Sequence, residues 1–567
     1  MATTTRTYNG KVYQSYLLRR SFRVGSQVKH ETLGNISHLP PELIDLIRRS
    51  LAGEKVIPAS DVFLVERNLA HGHVLALLGT MRLLGLETML ASKPCRQRDL
   101  AMAMIAERIL HPCSKLATTR LWHTTTLADE LSVASATEDD LYQAMDWLLA
   151  QQPRVEKILA ERHLQKGSLV LYDVSSSYYE GHTCPLARLG HNRDGKQGLP
   201  IIVYGLLTAD GRPVAVDVYA GNTRDPTTVP DQVEKLRTRF GLSRVVLAGD
   251  RGMLTEPQIG NLKQHPGLGW ISALRGPAIA ELVEDKSLQL SLFDKQNLAK
   301  ISSRDHPGER PVACFNPLLA DERRRKRQEL LEATDKDLRR IAAEVARRKK
   351  AHLPEAKIGL KVGKVLHRYK MAKHFELIIA DGAFQWARHQ DSIQCETQLD
   401  GIYVVRTSEP KSCYSAEDTV RRYKSPAQVE RAFRSLKGVD LRIRPIPHLT
   451  GDHVRAHIFL RMLANEVEWH MRKALAPLLF QDEELGQDRM RHDPVAPAEA
   501  SASAKAKEAN RVNSDGVPVH SFETLLREVI TRCRNNCRIR ADPSFTPFQH
   551  LTEPTRFQTR VFQLLGL

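Results

Sequence analysis

The chain has 567 residues, 42% of them hydrophobic, and carries 83 Lys plus Arg against 66 Asp plus Glu, a net charge of +17. This length and composition are typical of a globular protein of about two to four domains. The basic excess favours a polyanionic partner, nucleic acid ahead of an anionic membrane surface.

The sequence shows no sign of membrane insertion or secretion. No apolar run of about 18 residues occurs, and the N-terminus lacks the apolar core of a signal peptide. We therefore expect a cytoplasmic protein with no membrane partner. The eight cysteines are scattered, which argues against a disulfide framework, and the close pair Cys533 and Cys537 has no second pair of ligands beside it that would indicate zinc.

The first part of the chain is predicted to be mainly helical. Residues 11 to 36 indicate two short strands around "RVGSQ", and a Pro-Pro-Glu sequence then opens a helix. From about 70 to 165, apolar residues recur at helical spacing. Within this region, residues 98 to 122 have a helix, break, helix pattern that fits either a helix-turn-helix or a simple bundle, and the bundle is favoured.

From Ser168 the period changes from helix to strand. The sequences "SLVLYDVSSSYYEG" and "LPIIVYGLLTADGRPVAVDVYAG" predict three strands, the last two joined by an Asp-Gly turn. A helix then leads to a fourth strand, "SRVVLAGDRGM", and "GLGWISALR" predicts a fifth.

Beyond the fifth strand, we expect sheet regularity to be lost for over a hundred residues, which include a very basic helical stretch at 320–350. "HFELIIADG" and "LDGIYVVRTS" predict further strands. A long buried helix is expected in "HVRAHIFLRMLANEVEWHMRKALAPLLF". The composition of the low-complexity segment 494–510 indicates a linker or disordered insertion. We expect one helix near 521, followed by a loop-rich end.

Two aspartates occupy positions where a carboxylate needs a partner. Asp173 belongs to a strand otherwise fit for burial, and Asp250 comes directly after one. An isolated buried charge is costly, so each must be protonated, paired or bound to a metal. A strand-end Asp can also cap the next turn, and Arg251 could pair with Asp250, so these alternatives stay open.

A third acid stands alone among bases in "YKSPAQVERAFRSLK", residues 423 to 437. Ser425 is a good N-cap and Pro426 suits the first helical position, which predicts a helix beginning at about Pro426 with Tyr423 just before it.

Within that helix, Val429, Phe433 and Leu436 have the spacing of a buried stripe. Glu430, Arg434 and Lys437 share this spacing one position round. Glu430 could form a simple i,i+4 pair with Arg434 on a solvated face. Together with the two aspartates, however, it makes a candidate site for a hard cation, and a pair of Mg²⁺ ions about 3.5 to 4 Å apart is the standard device for in-line attack at a phosphodiester.

A family resemblance supports the metal hypothesis. The order of three strands, helix, fourth strand ending in "GDRGM", and later helix bearing Glu430 resembles the ribonuclease-H-like core of DDE transposases. Tyr423, Glu430 and Lys437 match the Y-x2-R-x3-E-x6-K signature of the insertion-sequence-four superfamily of bacterial transposases. "YDVSSSYYEG", "GHNRDGKQGLPIIVYGLL", "AGNTRD" and "RAFRSLK" resemble its IS1634-like branch. Pro426 stands where the signature has Arg.

The resemblance implies an α/β fold with a ribonuclease-H-like catalytic core, a mixed sheet with helices, interrupted by an insertion domain and preceded by a mainly helical N-terminal region. The implied domains are 1–165 for binding of DNA ends, 166–275 and 399–480 for the two parts of the core, 276–398 for the insertion, 481–518 for a linker and 519–567 for a C-terminal region.

The resemblance also implies the chemistry. Asp173, Asp250 and Glu430 would bind two Mg²⁺ ions, with Mn²⁺ as a substitute, and would be the catalytic residues. Tyr423, Lys437, Arg434 and Arg251 would contact DNA. The protein would hydrolyse DNA at the ends of an insertion sequence and transfer the freed 3′-hydroxyl into target DNA, acting on double-stranded DNA as a homodimer at the bacterial nucleoid.

Other functions remain open from the sequence. A transposase-derived DNA-binding protein without catalysis, or a ribonuclease-H-like nuclease that does not join strands, would share these acids. A phosphohydrolase of the haloacid-dehalogenase type would want a second acid two residues after Asp173, where Ser175 stands. His448, His453 and His457 could suggest a metal site, but a structural or phosphate-facing role is favoured because no zinc-protease Glu follows His453.

Overall fold

The computed structural model describes residues 1–54, 63–165, 167–293, 296–301, 305–348, 352–425, 427–486, 492–496, 499–539 and 546–567. The chain divides into two compact units. One comprises Met1–Ala70 and Arg532–Glu553, and the other comprises His71–Thr531 and Pro554–Leu567. None of the described helices is both long and apolar enough to cross a membrane.

The strands, in chain order, are β1 Ala2–Tyr8, β2 Lys11–Val24, β3 Gln27–Asn35, β4 Phe63–Ala70, β5 Leu169–Tyr178, β6 Ile201–Ala209, β7 Arg212–Ala220, β8 Val245–Ala248, β9 Leu268–Ala273, β10 Leu298–Lys300, β11 Arg310–Phe315, β12 Phe375–Ala380, β13 Ala383–Arg388, β14 Ile402–Thr407, β15 Cys533–Ile539 and β16 Phe548–Leu551.

The helices are α1 Pro41–Leu51, α2 Gly72–Leu83, α3 Leu86–Leu90, α4 Arg96–Leu110, α5 Lys115–Leu121, α6 Leu127–Glu130, α7 Glu138–His163, α8 Val229–Glu234, α9 Glu256–Lys263, α10 Gly276–Glu284, α11 Pro317–Arg347, α12 Glu355–Tyr369, α13 Gln390–Gln398, α14 Ala416–Tyr423, α15 Ala427–Arg434, α16 Gly451–Ala474, α17 Ala502–Asn510, α18 Phe522–Val529 and α19 Arg556–Leu565.

The smaller unit contains two antiparallel sheets, of order β1-β2-β3 and β16-β15-β4. The two strands predicted around "RVGSQ" are confirmed as β2 and β3. The strand before them, β1, was not predicted, although the sequence carries its signal. Asn9 and Gly10 both have positive φ and form the two-residue turn between β1 and β2, which is the preferred turn for Asn-Gly in a hairpin.

The helical region predicted between about 70 and 165 is confirmed as α2 to α7. A capping box begins α7, where the Thr137 hydroxyl accepts from the Asp140 amide and the Asp140 carboxylate accepts from the Thr137 amide. All residues of α4 from Leu100 to Arg108 are buried. A helix buried over such a length fits the favoured bundle rather than a helix that reads a DNA groove.

A mixed sheet of order β10-β11-β14-β9-β8-β5-β6-β7 forms the centre of the larger unit. The strand β6 is antiparallel to its neighbours β5 and β7, whereas β8 runs parallel to β5 and β9 parallel to β8. All nine residues of β6 are buried. Such a continuous apolar run is expected of a strand covered on both faces of its sheet.

The expected loss of sheet regularity after β9 is wrong. Both β10 and β11 extend the same sheet, because β11 pairs with β14 and β10 pairs with β11. The sequence hid them because β10 has only three residues, β11 begins "RP", and the partner of β11 lies far along the chain. Between β11 and β14, α11, α12 and the β12–β13 hairpin enclose a separate hydrophobic core.

The C-terminal part also differs from expectation. Within the low-complexity segment, α17 forms and its buried Lys507 donates to the carbonyls of Ala476 and Gln481. The helix predicted near 521 is confirmed as α18, but the loop-rich end is not, since β15, β16 and α19 follow. The sequence of β15 is "CRNNCRI", which is too polar to show the apolar pattern that predicts a strand.

The separate core between β11 and β14 yields the first prediction. Leu338 on α11 is fully buried in that core, so Leu338→Ala should leave a cavity and lower the free energy of unfolding by about 2 to 5 kcal/mol. We expect faster hydrogen exchange of the backbone amides of α11 and α12. Leu318→Ala on the same helix is the control, because Leu318 is 61% exposed and its loss should leave the exchange unchanged. Equal exchange in both variants would contradict the assignment of this core.

Candidate active site

Two neighbouring parallel strands bring the two predicted aspartates together. In the pairing of β5 with β8, Leu171 stands opposite Ala248. Asp173 and Asp250 each follow this pair by two residues. The backbone continues the sheet past β8, since the Gly249 amide donates to the Ile271 carbonyl. Adjacent strands lie about 4.7 to 4.9 Å apart, so the two aspartates occupy matching positions at one edge of the sheet.

The turn after β8 holds the Asp250 carboxylate. Its Oδ1 accepts hydrogen bonds from the amides of Gly252, at 3.0 Å, and Met253, at 2.7 Å. The residue itself is exposed. The open alternative that Asp250 caps the next turn is therefore correct, and it leaves the carboxylate facing solvent beside Asp173.

Asp173 lies in a less polar environment. Its carboxylate accepts from the Val174 amide at 2.8 Å. Burial raises the pKa of Asp173 to about 7, the Val174 hydrogen bond opposes this, and the charge of Asp250 raises the pKa further. Arg193 acts in the opposite direction, favouring the ionised form. The charge of Asp250 thus opposes ionisation of Asp173, and a cation between the two carboxylates would relieve this repulsion.

Glu430 lies on α15, which packs against β5. The buried stripe predicted for this helix is confirmed, since Val429, Phe433 and Leu436 are buried, whereas Glu430 is exposed. The helix starts within one residue of the predicted position. Pro426 lies outside the described residues.

The face of the sheet that α15 covers can be read from one aromatic contact. The Phe433 ring meets the Tyr204 ring edge to face, with ring centroids 5.8 Å apart. Tyr204 stands directly opposite Ser175 in the β5–β6 pairing, and residues opposite each other point to the same face. Asp173, two residues from Ser175, shares that face. Asp173 and the helix bearing Glu430 are thus on the same side of the sheet.

Tyr423 is the last residue of a short helix, α14, that the sequence did not reveal. Its side chain is half-buried. Burial raises the pKa of Tyr423, Arg251 lowers it, and Asp250 raises it. The Tyr423 side chain is therefore near Asp250 and Arg251, which places the end of α14 beside the turn after β8.

The basic residues predicted to contact DNA differ in their surroundings. Arg251 and Arg434 are exposed. Lys437 is partly buried, and its Nζ lies 3.3 Å from Oδ1 of Asp194. Burial lowers the pKa of Lys437, and Asp194 opposes this.

Asp194 is a residue whose importance the sequence did not indicate. Its side chain is only 2% exposed. Besides Lys437, its carboxylate accepts from Arg444, at 2.7 Å, and from the Tyr178 amide, at 3.2 Å. Through Asp194, the "GHNRDGKQG" loop joins the end of β5 to the segment after α15.

A cleft of about 400 Å³ opens between this loop and the "AGNTRD" segment. In it, Arg193 pairs with Asp225 at 2.5 Å. Gly252, which follows Asp250 closely, also lines the cleft. The other polar residues that line it are His191, Asn222, Thr223 and Arg224. The cleft therefore adjoins the aspartate pair and offers cationic side chains to an anion.

The favoured structural role holds for two of the three histidines near the start of α16. His457 accepts at Nδ1 from Nε2 of His448, at 2.8 Å, and donates from Nε2 to the Ile443 carbonyl. Both rings are buried, and burial lowers the pKa of each. His453 instead stacks on Tyr142, with ring centroids 5.1 Å apart.

Residues 169–465, more than half of the chain, match the family described as Transposase DDE domain. The chain belongs to this family. The match contains Asp173, Asp250 and Glu430. Residues 1–58 match the family described as IS1634 family transposase, N-terminal domain, which confirms the IS1634-like resemblance.

No curated protein matches this transposase. Among solved structures, it is similar to a chain of a cryo-EM structure of a piggyBac transposase synaptic complex with hairpin DNA. The two are 9% identical, with a TM-score of 0.24, over 81% of this chain and 86% of the other. At that TM-score the likeness establishes no equivalence of residues.

The raised pKa of Asp173 predicts that the stability of the metal-free protein falls as pH rises. The folded protein holds the Asp173 proton up to about pH 7, whereas an unfolded chain releases it near pH 3.9. Stability contributed by this group is therefore complete at low pH and is lost as pH rises to about 7. Without metal, Asp173→Asn should have a higher thermal midpoint than the wild type above pH 7, and the difference should shrink towards pH 4.

Thermal unfolding in a chelator, measured across this pH range, tests that expectation. Asp210→Asn, at an exposed aspartate of the β6–β7 turn, is the matched control for the loss of one negative charge. A constant difference between Asp173→Asn and the wild type at all pH values would contradict the assignment.

Proposed function

We propose that this transposase binds the ends of its insertion sequence, hydrolyses DNA there with bound metal, and transfers the freed 3′-hydroxyl into target DNA. The observation that carries the proposal is that Asp173 and Asp250 lie side by side where the neighbouring strands β5 and β8 end, with Glu430 on a helix over the same face of the sheet. A set of carboxylates of this kind can bind the metal ions that phosphodiester chemistry uses.

The order of strands supports a ribonuclease-H-like core. Three antiparallel strands, β5 to β7, are followed by two parallel strands, β8 and β9, with Asp173 on the first of the five and Asp250 after the fourth. We propose that the core also includes β10 and β11, because both extend its sheet. The insertion domain would then be the part between β11 and β14, which has its own hydrophobic core.

The donor set fits a hard cation. Asp173, Asp250 and Glu430 offer only carboxylate oxygens, the ligands that Mg²⁺ and Mn²⁺ prefer. Two bound ions would activate the attacking oxygen and stabilise the leaving oxygen at a phosphodiester. The burial of Asp173 beside Asp250 is consistent with this donor set, since a bound cation would favour the ionised form of Asp173.

The chain's own residues would hold and orient the DNA. Arg251 and Arg434 are exposed and can bind backbone phosphates, and Tyr423 can pack on or bond to the terminal nucleotides. Lys437 would exchange its contact with Asp194 for a phosphate, while Arg444 keeps Asp194 paired. Such contacts position the polyanion without reading its sequence. Residues 1–165 would bind the DNA ends, and two chains would pair two ends.

Mg²⁺-dependent nicking and strand transfer test the proposal. DNA from both flanks of the gene is the substrate, and Asp250→Asn is compared with the wild type. Asparagine keeps an Oδ1 acceptor for the amides of Gly252 and Met253, so the turn should persist while a metal ligand is lost. We expect both steps to slow at least about a hundredfold.

Asp210→Asn is the control and should retain activity. Nicking without joining by the wild type would favour a nuclease, and binding without cleavage in Mg²⁺ and Mn²⁺ would favour a DNA-binding protein without catalysis. Equal activity of Asp250→Asn and the wild type would remove Asp250 from the site.

The proposed contact of Lys437 yields a separate prediction. Lys437→Ala should weaken binding to DNA ends for all sequences and reduce the salt slope of binding by about 1. Affinity measured over a range of salt concentrations tests this. Lys364→Ala, an exposed lysine on α12, is the comparison. If Lys437→Ala leaves the slope unchanged, Lys437 serves only to pair with Asp194.

A further inference from the structure

A second group of potential metal ligands lies where two long helices meet. His163 is the last residue of α7, and Glu466 and His470 lie one turn apart on α16. Oε1 of Glu466 is 3.0 Å from Nε2 of His163 and 3.2 Å from Nε2 of His470. One ligand atom from each residue lies within 4.8 Å of the others. Three side chains therefore converge on one point.

An unsatisfied oxygen also indicates a missing ligand. The Glu466 side chain is 8% exposed, and within the described part of the chain its Oε2 is buried without a hydrogen-bond partner. A buried carboxylate oxygen without a partner is costly. Glu466, His163 and His470 line a cavity of about 320 Å³ whose other walls are mostly apolar, including Leu86, Met89 and Leu463. The cavity leaves room beside the three side chains for an ion and a water molecule.

We propose that His163, Glu466 and His470 bind a Zn²⁺ ion. Two imidazoles and one carboxylate, with a fourth position open to water, form a common zinc ligand set. Tetrahedral ligation at about 2.0 to 2.2 Å places ligand atoms roughly 3.3 to 3.6 Å apart. The distances from Glu466 Oε1 to the two imidazole nitrogens, 3.0 and 3.2 Å, need only small shifts, and the ligand atoms of the two histidines lie within 4.8 Å of each other. Imidazole nitrogen does not suit Mg²⁺, which separates this site chemically from the carboxylate set.

The position of the site suggests what the ion does. His163 ends α7 shortly before β5, the strand that bears Asp173, whereas α16 packs against α7 and β7. Zinc would cross-link the end of α7 to α16. It would thereby restrict the position of the segment that leads from α7 into β5. None of Asp173, Asp250 and Glu430 lines this cavity. The site is thus a cross-link between helices, separate from the proposed reaction centre.

Metal titration of the full-length chain tests the proposal. The protein is stripped with a chelator, transferred to excess Mg²⁺ to fill the carboxylate site, and titrated with Co²⁺ and then Zn²⁺. We expect one ion per chain, with visible Co²⁺ bands that Zn²⁺ abolishes. Thiolate charge-transfer bands should be absent, because the ligands are nitrogen and oxygen.

Variants locate the ion. His470→Gln should weaken Zn²⁺ binding by at least about tenfold, since loss of even an outer partner of a ligand costs that much. His470 is the most exposed of the three ligands, at 26%, so its replacement should disturb folding least. His453→Gln is the matched control on the same helix, because His453 is 24% exposed and pairs with Asp146 instead. Asp250→Asn should also bind Zn²⁺ normally.

Two outcomes would overturn the proposal. One is no Co²⁺ or Zn²⁺ binding by the wild type in excess Mg²⁺. The other is a folded His470→Gln variant, verified by circular dichroism, that binds as tightly as the wild type. If His470→Gln does not fold, His163→Gln provides the same comparison, and the wild-type titration stands independently of either variant.

Discussion

The parallel pairing of β5 with β8 is the constraint on which the candidate active site depends. It sets Leu171 opposite Ala248, so the aspartates two residues further along fall side by side. Two carboxylates in that position repel each other, and burial of Asp173 increases the cost. A cation between the two carboxylates, or a proton held on Asp173 up to about pH 7, would compensate for this cost. The metal chemistry proposed for this transposase follows from that constraint.

The surrounding elements fix where the other proposed site residues lie. The buried stripe of α15 fixes the rotation of the helix on β5 and leaves Glu430 exposed. The preceding helix, α14, carries Tyr423 to the vicinity of Asp250. Asp194 forms ion pairs with two residues that follow α15, Lys437 and Arg444. Hydrophobic packing thus positions the helix that carries Glu430, and the Asp194 carboxylate pairs with Lys437, which we propose as a phosphate contact.

Much of this architecture was predictable because it depends on local patterns. Apolar periodicity identified β5 to β9, α15 and α16, and the mismatch between an acid and its apolar strand singled out Asp173. The rest depends on distant partners. β10 and β11 are strands only because β14 lies beside them. Asp194 lies in a polar loop, and its ion pairs with Lys437 and Arg444 join residues far apart in sequence, so no local pattern indicates them. The role of Pro426 in place of the signature Arg lies outside the described residues.

The most direct test of the account is anomalous diffraction from crystals of the transposase grown with Mn²⁺. The account predicts scattering peaks that Asp173 and Asp250 ligate together, with two ions about 3.5 to 4 Å apart when DNA is bound, and a Glu430 oxygen as a further ligand. Peaks without Asp173 or Asp250 as ligands would contradict the central claim. So would a Glu430 carboxylate more than about 10 Å from the ions in the DNA complex.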